Sequence, residues 1–156
     1  NKFIAENKKF LPVTHKEMTR FWITLQEGVD FVLSSMERML GGEIFIPKIP
    51  SVRIVDLAKA MGPEIPIKII WIRPGEKLHE VMCPSDDSHL TIEYDGYYVI
   101  SPSIDFYSRV EDFTVNKLGE RGSFVEPGFE YNSLINEHFL DSDEILSFNQ
   151  KTLKLI

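Results

Sequence analysis

The stretch Ile67–Met82, IKIIWIRPGEKLHEVM, joins an apolar, mostly β-branched run to a sharp turn rich in charge. The first six residues have the composition of a buried strand. Pro74 and Gly75 then predict a turn, because proline presets φ and glycine adopts conformations that other residues avoid. Arg73 and Glu76 flank that turn. The stretch therefore predicts a strand that leads directly into a charged turn.

Upstream of this stretch, helical and strand patterns alternate. Thr24–Glu27 matches a capping box, and the helix that follows is expected to stop at Gly41-Gly42. Glu43–Pro47 is short and apolar, which predicts a strand. Ser51 is expected to cap a second helix that ends at Gly62-Pro63. The order helix, strand, helix, strand favours an α/β fold class.

Both predicted helices carry apolar residues at helical spacing, and we expect each helix to bury that side. In the first helix the apolar stripe consists of Leu25, Val29, Val32, Leu33, Met36 and Leu40. In the second helix the residues expected to face inward are Ile54, Leu57, Ala58 and Met61.

The downstream half of the chain has a different pattern. Leu90–Ile100 alternates around Asp95-Gly96, the preferred pair for a tight β-hairpin. Residues 101–131 are polar and weakly periodic, which predicts mostly loop. A last helix is expected to start at Asp141 or Ser142. At the other end, residues 1–9 have the pattern of a helix end that precedes Pro12.

Length and composition bound the class of protein. The chain has 156 residues, 43% of them hydrophobic and 26% charged, which is ordinary for a soluble globular domain or a large piece of one. Its net charge of −7 argues against nucleic-acid binding and against anionic membranes. A lone cysteine, the absence of a signal peptide and the absence of a membrane-spanning run predict a cytoplasmic protein.

Several common chemistries lack their motifs. The order His79-Glu80-x-x-Cys83 is one residue away from a zinc motif, but Pro84 leaves about one helical turn to hold it. We therefore expect no metal site there, and we interpret Cys83 as a semi-buried structural residue. The sequence contains neither a glycine-rich dinucleotide turn nor a Walker A motif, and no tyrosine stands four residues before a lysine.

Two arginines remain as candidate ligand contacts. Arg20 lies among bulky residues that would anchor its backbone, and Arg73 lies at the Pro-Gly turn. Two guanidinium groups at one cleft would suit a diphosphate, because each can donate paired hydrogen bonds to phosphate oxygens. Glu76 beside them could accept hydrogen bonds from sugar hydroxyls. The alternative is an ordinary surface Arg–Glu pair, which contributes little to stability.

Three motifs in order carry a resemblance to a known family. They are MTRFWITLQEGVDFVL at residues 18–33, GGEIFIPKIPSVRIVDLAKAMG at residues 41–62 and IRPGEKLHEVM at residues 72–82, and the hairpin and FEYNS at residues 129–133 agree with them. The chain resembles the C-terminal part of the inverting UDP-N-acetylglucosamine 4,6-dehydratases of pseudaminic acid biosynthesis. These enzymes belong to the extended short-chain dehydrogenase/reductases. The resemblance covers essentially the whole chain.

The resemblance implies a half-enzyme. In that family an N-terminal Rossmann part binds NADP and carries the catalytic groups, while a smaller C-terminal part closes over the UDP-sugar. The reaction oxidises C4 of the sugar, eliminates water across C5–C6, returns hydride to C6 and inverts C5. By this resemblance the present chain binds and orients substrate, contains no catalytic residue and is inactive alone. A homo-oligomer is implied as well.

The resemblance also implies which residues contact the substrate. Arg20 and Arg73 resemble the arginines that contact the diphosphate, and Glu76 resembles a nucleotide-sugar contact. Thr19, Pro74 and Gly75 would shape the site, and residues 131–133 would lie near it. Two alternatives stay open: a non-catalytic sugar-nucleotide-binding or oligomerisation module, and a retaining dehydratase or epimerase that acts on another UDP-sugar.

Overall fold

The computed structural model describes residues 9–104 and 112–153. Three α-helices, ten short strands and one 3₁₀ helix lie within these ranges. In chain order they are β1 (Leu11–Val13), β2 (Thr19–Phe21), α1 (Leu25–Arg38), β3 (Ile44–Pro47), β4 (Ser51–Arg53), α2 (Ile54–Met61), β5 (Ile67–Ile69), β6 (Val81–Cys83), the 3₁₀ helix (Ser85–Leu90), β7 (Thr91–Tyr94), β8 (Tyr97–Ile100), β9 (Ser123–Phe124), β10 (Tyr131–Asn132) and α3 (Ser142–Leu153). The predicted α/β class is confirmed.

The described residues divide into two compact units. The first comprises residues up to 24, 49–80 and 133 onwards, and the second comprises residues 25–48 and 81–132. In the first unit β1 pairs with β5 in parallel, and β2 pairs with β4 in antiparallel orientation. Helices α2 and α3 pack on Val52, and the fully buried Ile145 of α3 fills the centre of this core.

The second unit is built on a four-stranded antiparallel sheet with the strand order β3-β8-β7-β9. The predicted hairpin forms its centre: Tyr94 pairs with Tyr97 across a two-residue loop, and Gly96 has a φ of +78°. Gly122, just before β9, lies so close to the hairpin that a Cβ there would sit 2.7 Å from a methyl of Ile92. The sequence did not predict this added strand, because β9 has only two residues.

The prediction that Ser51 caps the second helix is wrong. Residues 51–53 form β4, and α2 begins at Ile54, with Arg53 at the N-cap position and no side-chain cap. Ser51 is fully buried, and its hydroxyl accepts a hydrogen bond from the Asn136 side-chain amide at 3.0 Å. Pairing with β2 therefore overrides the local capping signal. Met61, predicted to face inward, is largely exposed, and Ala60 is buried instead of Ala58.

Two apolar runs have the predicted position but not the predicted burial. Helix α1 begins after Thr24 as expected and ends at Arg38, before the glycines, with no buried residue. Of its apolar stripe Leu25, Val29, Val32, Leu33 and Met36 are 44–82% exposed, whereas Phe31 packs on the core of the second unit. In β5, Ile69 is likewise exposed, as is the run that follows it, Ile70, Trp71 and Ile72. The spacing of apolar residues therefore predicts where a helix or strand lies, but not whether its apolar side is buried.

The predicted start of the last helix is confirmed, whereas the prediction for the N-terminal residues is not tested. The helix expected over residues 1–9 lies, apart from Lys9, outside the described residues, and Pro12 lies within β1. Helix α3 begins at Ser142 as predicted. The Asp141 carboxylate accepts hydrogen bonds from the backbone N–H groups of Asp143 and Glu144, and the Glu144 carboxylate accepts one from the Asp141 N–H at 2.8 Å. This reciprocal arrangement is a capping box.

Replacement of the capping residue tests this helix start. We expect Asp141→Ala to lower the free energy of unfolding by about 1 kcal/mol, because two N–H groups at the start of the helix lose their acceptor. Urea unfolding provides the measurement. Asp143→Ala is the matched control, since it removes a carboxylate from the same turn without touching the cap. Equal losses in the two variants would contradict the role of the cap.

A polar network ties the loop at residues 112–122 to α1 in the second unit. Glu120 accepts two hydrogen bonds from the Arg38 guanidinium, at 2.7 and 3.1 Å, and further bonds from the Asn116 amide and the Tyr97 hydroxyl. The hydrogen bond from Arg38, followed by that from Asn116, lowers the pKa of Glu120 from 4.5 to about 2. The charged carboxylate therefore stabilises the folded unit.

This network predicts a pH dependence of stability. Because the pKa of Glu120 is lower in the folded state, the unfolded state binds more protons between pH 4.5 and 2. The stabilisation is complete above pH 4.5 and is lost as the pH falls towards 2. We expect wild type to exceed Glu120→Gln in stability at pH 7, by no more than about 1 kcal/mol since the side chain is partly exposed, and this margin to shrink at pH 3. Thermal unfolding at both pH values measures the margin, and the exposed Glu137→Gln serves as control.

Candidate functional site

The predicted Pro-Gly turn forms a compact charged loop in the first unit. Gly75 has a φ of +80°, a conformation that glycine adopts without strain. The Glu76 N–H donates to the Arg73 carbonyl at 3.0 Å, and the Arg73 N–H donates back to the Glu76 carboxylate at 3.1 Å. Pro74 fills the intervening position and is exposed. The turn is thus closed by one backbone hydrogen bond and by one bond from a backbone N–H to the Glu76 carboxylate, and the Arg73 guanidinium adds a longer contact with Glu76 at 3.5 Å.

The two charged side chains of the turn differ in exposure. Arg73 is 77% exposed, and its one ion pair in the described structure is a 3.5 Å contact with Glu76. Glu76 is only 18% exposed. The pKa of its carboxyl is lowered, first by the Arg73 backbone N–H, then by the Arg73 side chain, and further by the charge of Arg20, while partial burial opposes these effects. A carboxylate that stays ionised accepts hydrogen bonds only, and an exposed guanidinium can still take an anion.

Arg20, the second predicted contact, extends from β2 and is held by the chain that follows the turn. One terminal nitrogen, Nη1, donates to the carbonyls of Thr19 and Leu78 at 2.6 and 3.1 Å, and the other, Nη2, donates to the Lys77 carbonyl at 2.7 Å. Its Nε lies 3.4 Å from the Glu80 carboxylate. The structure therefore brings Arg20 and the turn to one place, and uses most of the Arg20 donors to hold backbone.

Thr19, predicted to shape the site, lies in a buried hydroxyl network. Its Oγ1 lies 2.7 Å from Ser133 Oγ and 2.8 Å from His79 Nδ1. Ser133 Oγ also accepts the Glu80 N–H at 2.9 Å. Sequence reasoning placed residues 131–133 near the site but gave no role to Ser133 or His79. The spacing of 114 residues between Thr19 and Ser133 leaves no local signal for their contact.

The segment that resembles a zinc motif does not form a helix. Val81–Cys83 is β6, which pairs with β10 in the second unit. Cys83 is fully buried, and burial raises the pKa of its thiol to about 12, with a smaller contribution from Asp87. Within residues 9–104 and 112–153 there is no group of three or more His, Cys, Asp or Glu side chains placed to hold a metal ion. The thiol is therefore protonated at neutral pH and unsuited to nucleophilic chemistry.

In the described parts of the chain, none of the helices combines the length and the apolar character that crossing a bilayer requires.

Comparison with known proteins agrees with the resemblance predicted from the motifs. The inverting UDP-N-acetylglucosamine 4,6-dehydratases of two Campylobacter jejuni serotypes, O:2 and O:23/36, are 56% and 54% identical to this chain over 151 residues, which is 97% of it. UDP-glucose 4-epimerase of Rickettsia prowazekii is 38% identical over 96 residues, 59% of this chain and 28% of the epimerase. The chain spans 45% of the length of the two dehydratases.

The fold has a counterpart among solved structures. The X-ray structure of Pen from Bacillus thuringiensis superposes with a TM-score of 0.75 over 97% of this chain and 43% of that chain, at 23% sequence identity. This likeness concerns the fold alone. The sequence model of the family described as polysaccharide biosynthesis protein matches residues 1–102, about two thirds of the chain. The chain therefore belongs to the polysaccharide biosynthesis protein family.

Proposed function

We propose that this chain is the substrate-binding part of an NADP-dependent, inverting UDP-N-acetylglucosamine 4,6-dehydratase, a hydro-lyase of bacterial surface-sugar biosynthesis. Its task is to bind and orient the UDP-sugar, while the groups that transfer protons and hydride lie outside this chain. The observation that carries the proposal is the exposed guanidinium of Arg73 on a turn closed by its own backbone. The dehydratases of Campylobacter jejuni support the choice of reaction.

The diphosphate is the part of the substrate that this geometry suits best. The protein carries a net charge of −7, so an anion needs cations placed locally. Arg73 offers a planar fork of donors that matches two phosphate oxygens. Arg20 adds a second positive charge near Glu76, although its carbonyl contacts leave it few donors. In this proposal Arg73 binds the diphosphate directly, and Arg20 contributes mainly through its charge.

Glu76 is proposed to contact the hydroxyl groups of the nucleotide-sugar. Its lowered pKa keeps the carboxylate ionised, so it accepts hydrogen bonds from hydroxyls and repels misplaced phosphate. Such contacts hold the sugar in one orientation, and orientation can supply several kcal/mol of barrier reduction without proton transfer. Thr19, Pro74 and Gly75 shape the turn and contribute no reacting group.

The described residues do not fit NADP. A dinucleotide needs a glycine-rich turn between a strand and the start of a helix. Gly41 and Gly42 instead lie between the end of α1 and β3, and helix α2 begins directly after a strand without glycine. We therefore assign no residue of this chain to the cofactor, and the proposal has NADP bound elsewhere in the complete protein. Assignment to the cytoplasm and to a homo-oligomer belongs to the same proposal.

A second candidate function is epimerisation of a UDP-sugar, which the similarity to UDP-glucose 4-epimerase of Rickettsia prowazekii favours. Both candidates require the UDP contact, so binding measurements do not separate them. NMR of the product does: a 6-deoxy-4-keto sugar with inverted C5 indicates the inverting dehydratase, and a sugar changed only at C4 indicates the epimerase. Binding of UDP without turnover in the complete protein would indicate a non-catalytic module.

The role of Arg73 can be tested in the complete protein. We expect Arg73→Ala to raise KM for UDP-N-acetylglucosamine by about 10- to 100-fold, because a charge-assisted contact with phosphate contributes roughly 1.5–3 kcal/mol. Arg73→Lys is expected to recover part of that loss, since it restores the charge without the fork. Steady-state kinetics and calorimetric titration with UDP provide the measurements.

Arg53→Ala is the matched control for this experiment. Arg53 lies in the same unit and is exposed, but it interacts with Asp56 at 3.9 Å and with the ring of Phe139 rather than with the turn. Its replacement is expected to leave KM within about twofold, because exposed pairs of this kind contribute little. Unchanged kinetics in Arg73→Ala, or equal losses in both variants, would contradict a diphosphate contact at Arg73.

A further inference from the structure

We infer that Ser133 is a positioning residue: through the buried hydroxyl of Thr19 and the backbone of Glu80, it fixes the Arg73–Glu76 turn in the orientation that receives the diphosphate. This inference rests on the proposed function for the identity of the ligand. The mechanical part, that Ser133 holds the turn, depends only on contacts within the first unit.

The first step is the geometry of the hydroxyl network. Ser133 lies directly beside the segment that follows the turn: its N–H donates to the Glu80 carbonyl at 2.8 Å, and its Oγ accepts the Glu80 N–H at 2.9 Å. The same Oγ lies 2.7 Å from Thr19 Oγ1, which lies 2.8 Å from His79 Nδ1. With Ser133 as the donor to Thr19 and Thr19 as the donor to His79 Nδ1, both hydroxyl protons have an acceptor.

Burial makes this network sensitive to substitution. Thr19 is 2% exposed and Ser133 is 0% exposed, so water is poorly placed to replace a deleted hydroxyl. A buried N–H that loses its acceptor retains its full desolvation cost. Removal of the Ser133 hydroxyl would leave the Glu80 N–H in that state. The segment could regain water only by moving outward, and the turn that precedes it would move as well.

The second step is the tethering of the turn at its two ends. On the N-terminal side the Ile70 N–H donates to the Val13 carbonyl at 2.8 Å. On the C-terminal side, residues 77–80 are held by Thr19 and Arg20 of β2 and by Ser133. Between these tethers, the hydrogen bonds shown by the described part of the chain stay within the turn, apart from a 3.5 Å contact of Thr14 with Glu76. The turn is therefore held from both sides, and the C-terminal tether is the one to which Ser133 contributes.

The experiment compares variants of the complete protein that differ by a single hydroxyl. Thr19→Val removes the hydroxyl and keeps the shape, whereas Thr19→Ser keeps the hydroxyl and serves as its control. Ser133→Ala is matched by Ser88→Ala, because Ser88 is also buried and also accepts a backbone N–H, that of Gly128 at 3.0 Å, but lies in the second unit. Each pair therefore separates the network from the general effect of a buried substitution.

Two readouts distinguish positioning from general support of the fold. The first is the rate at which trypsin cleaves the native protein after Lys77, mapped by mass spectrometry, since cleavage requires local opening of the tethered segment. We expect that rate to rise about tenfold or more in Thr19→Val and Ser133→Ala, and to stay within about twofold in Thr19→Ser and Ser88→Ala. The second readout is the kinetics with UDP-N-acetylglucosamine, for which we expect KM to rise about tenfold with kcat within about twofold.

Each other outcome is decisive. Unchanged cleavage in Ser133→Ala and Thr19→Val overturns the inference, whatever the kinetics. Faster cleavage with unchanged KM overturns the positioning role, because the tether would then be structural only. The positioning role is also overturned if Ser88→Ala loses as much thermal stability as Ser133→Ala and is cleaved after Lys77 at the same rate. If the wild-type protein binds no UDP by calorimetry, the proposed function fails separately, and the cleavage comparison alone then decides whether Ser133 holds the turn.

Discussion

A 2.7 Å hydrogen bond between the buried hydroxyls of Thr19 and Ser133 joins two distant parts of the first unit. It joins β2 to a residue 114 positions later and places the segment at residues 77–80 between them. An exposed hydrogen bond could exchange with water at little cost, but this pair is inaccessible and its partners stay satisfied only together. Arg20 and the Thr19 backbone hold the same segment through the carbonyls of Lys77 and Leu78, so the buried hydroxyls act together with these bonds.

The charges of Arg73 and Glu76 give the turn its second important property. The overall negative charge opposes anions, yet the turn presents an exposed Arg73 beside a carboxylate whose pKa is lowered. The side chains of Glu76 and Arg73 form an ion pair at 3.5 Å, and Glu76 accepts the Arg73 backbone N–H at the shorter distance of 3.1 Å. The ion pair uses one terminal nitrogen of the guanidinium, and the Arg73 side chain is 77% exposed. Because the shorter hydrogen bonds that close the turn come from backbone N–H groups, its closure does not depend on the guanidinium alone.

Local signals predicted the elements that local interactions control. The Asp95-Gly96 hairpin and the start of α3 at Asp141 follow from residues within a few positions of each other, and both form as predicted. The same kind of signal was wrong at Ser51, where pairing with a distant strand prevails over a helix cap. Candidate site residues near the turn came from the motif, but the contact of Ser133 with Thr19 spans 114 residues of sequence. No pattern of spacing in a single sequence encodes that contact.

Arg20 and Arg73, which the sequence analysis treated as a pair, differ in how many of their donors the protein itself uses. Arg20 donates to three carbonyls at 2.6–3.1 Å and lies 3.4 Å from Glu80, so most of its hydrogen-bonding capacity is committed before any ligand arrives. The Arg73 side chain is 77% exposed, and its ion pair with Glu76 has a length of 3.5 Å. By holding the backbone that follows the turn, Arg20 lowers the entropy cost of ligand binding at Arg73, because the loop is already ordered before the ligand binds. Equal charge therefore does not imply equal roles: Arg20 holds the backbone that follows the turn, and the proposed function assigns the phosphate contact to the more exposed Arg73.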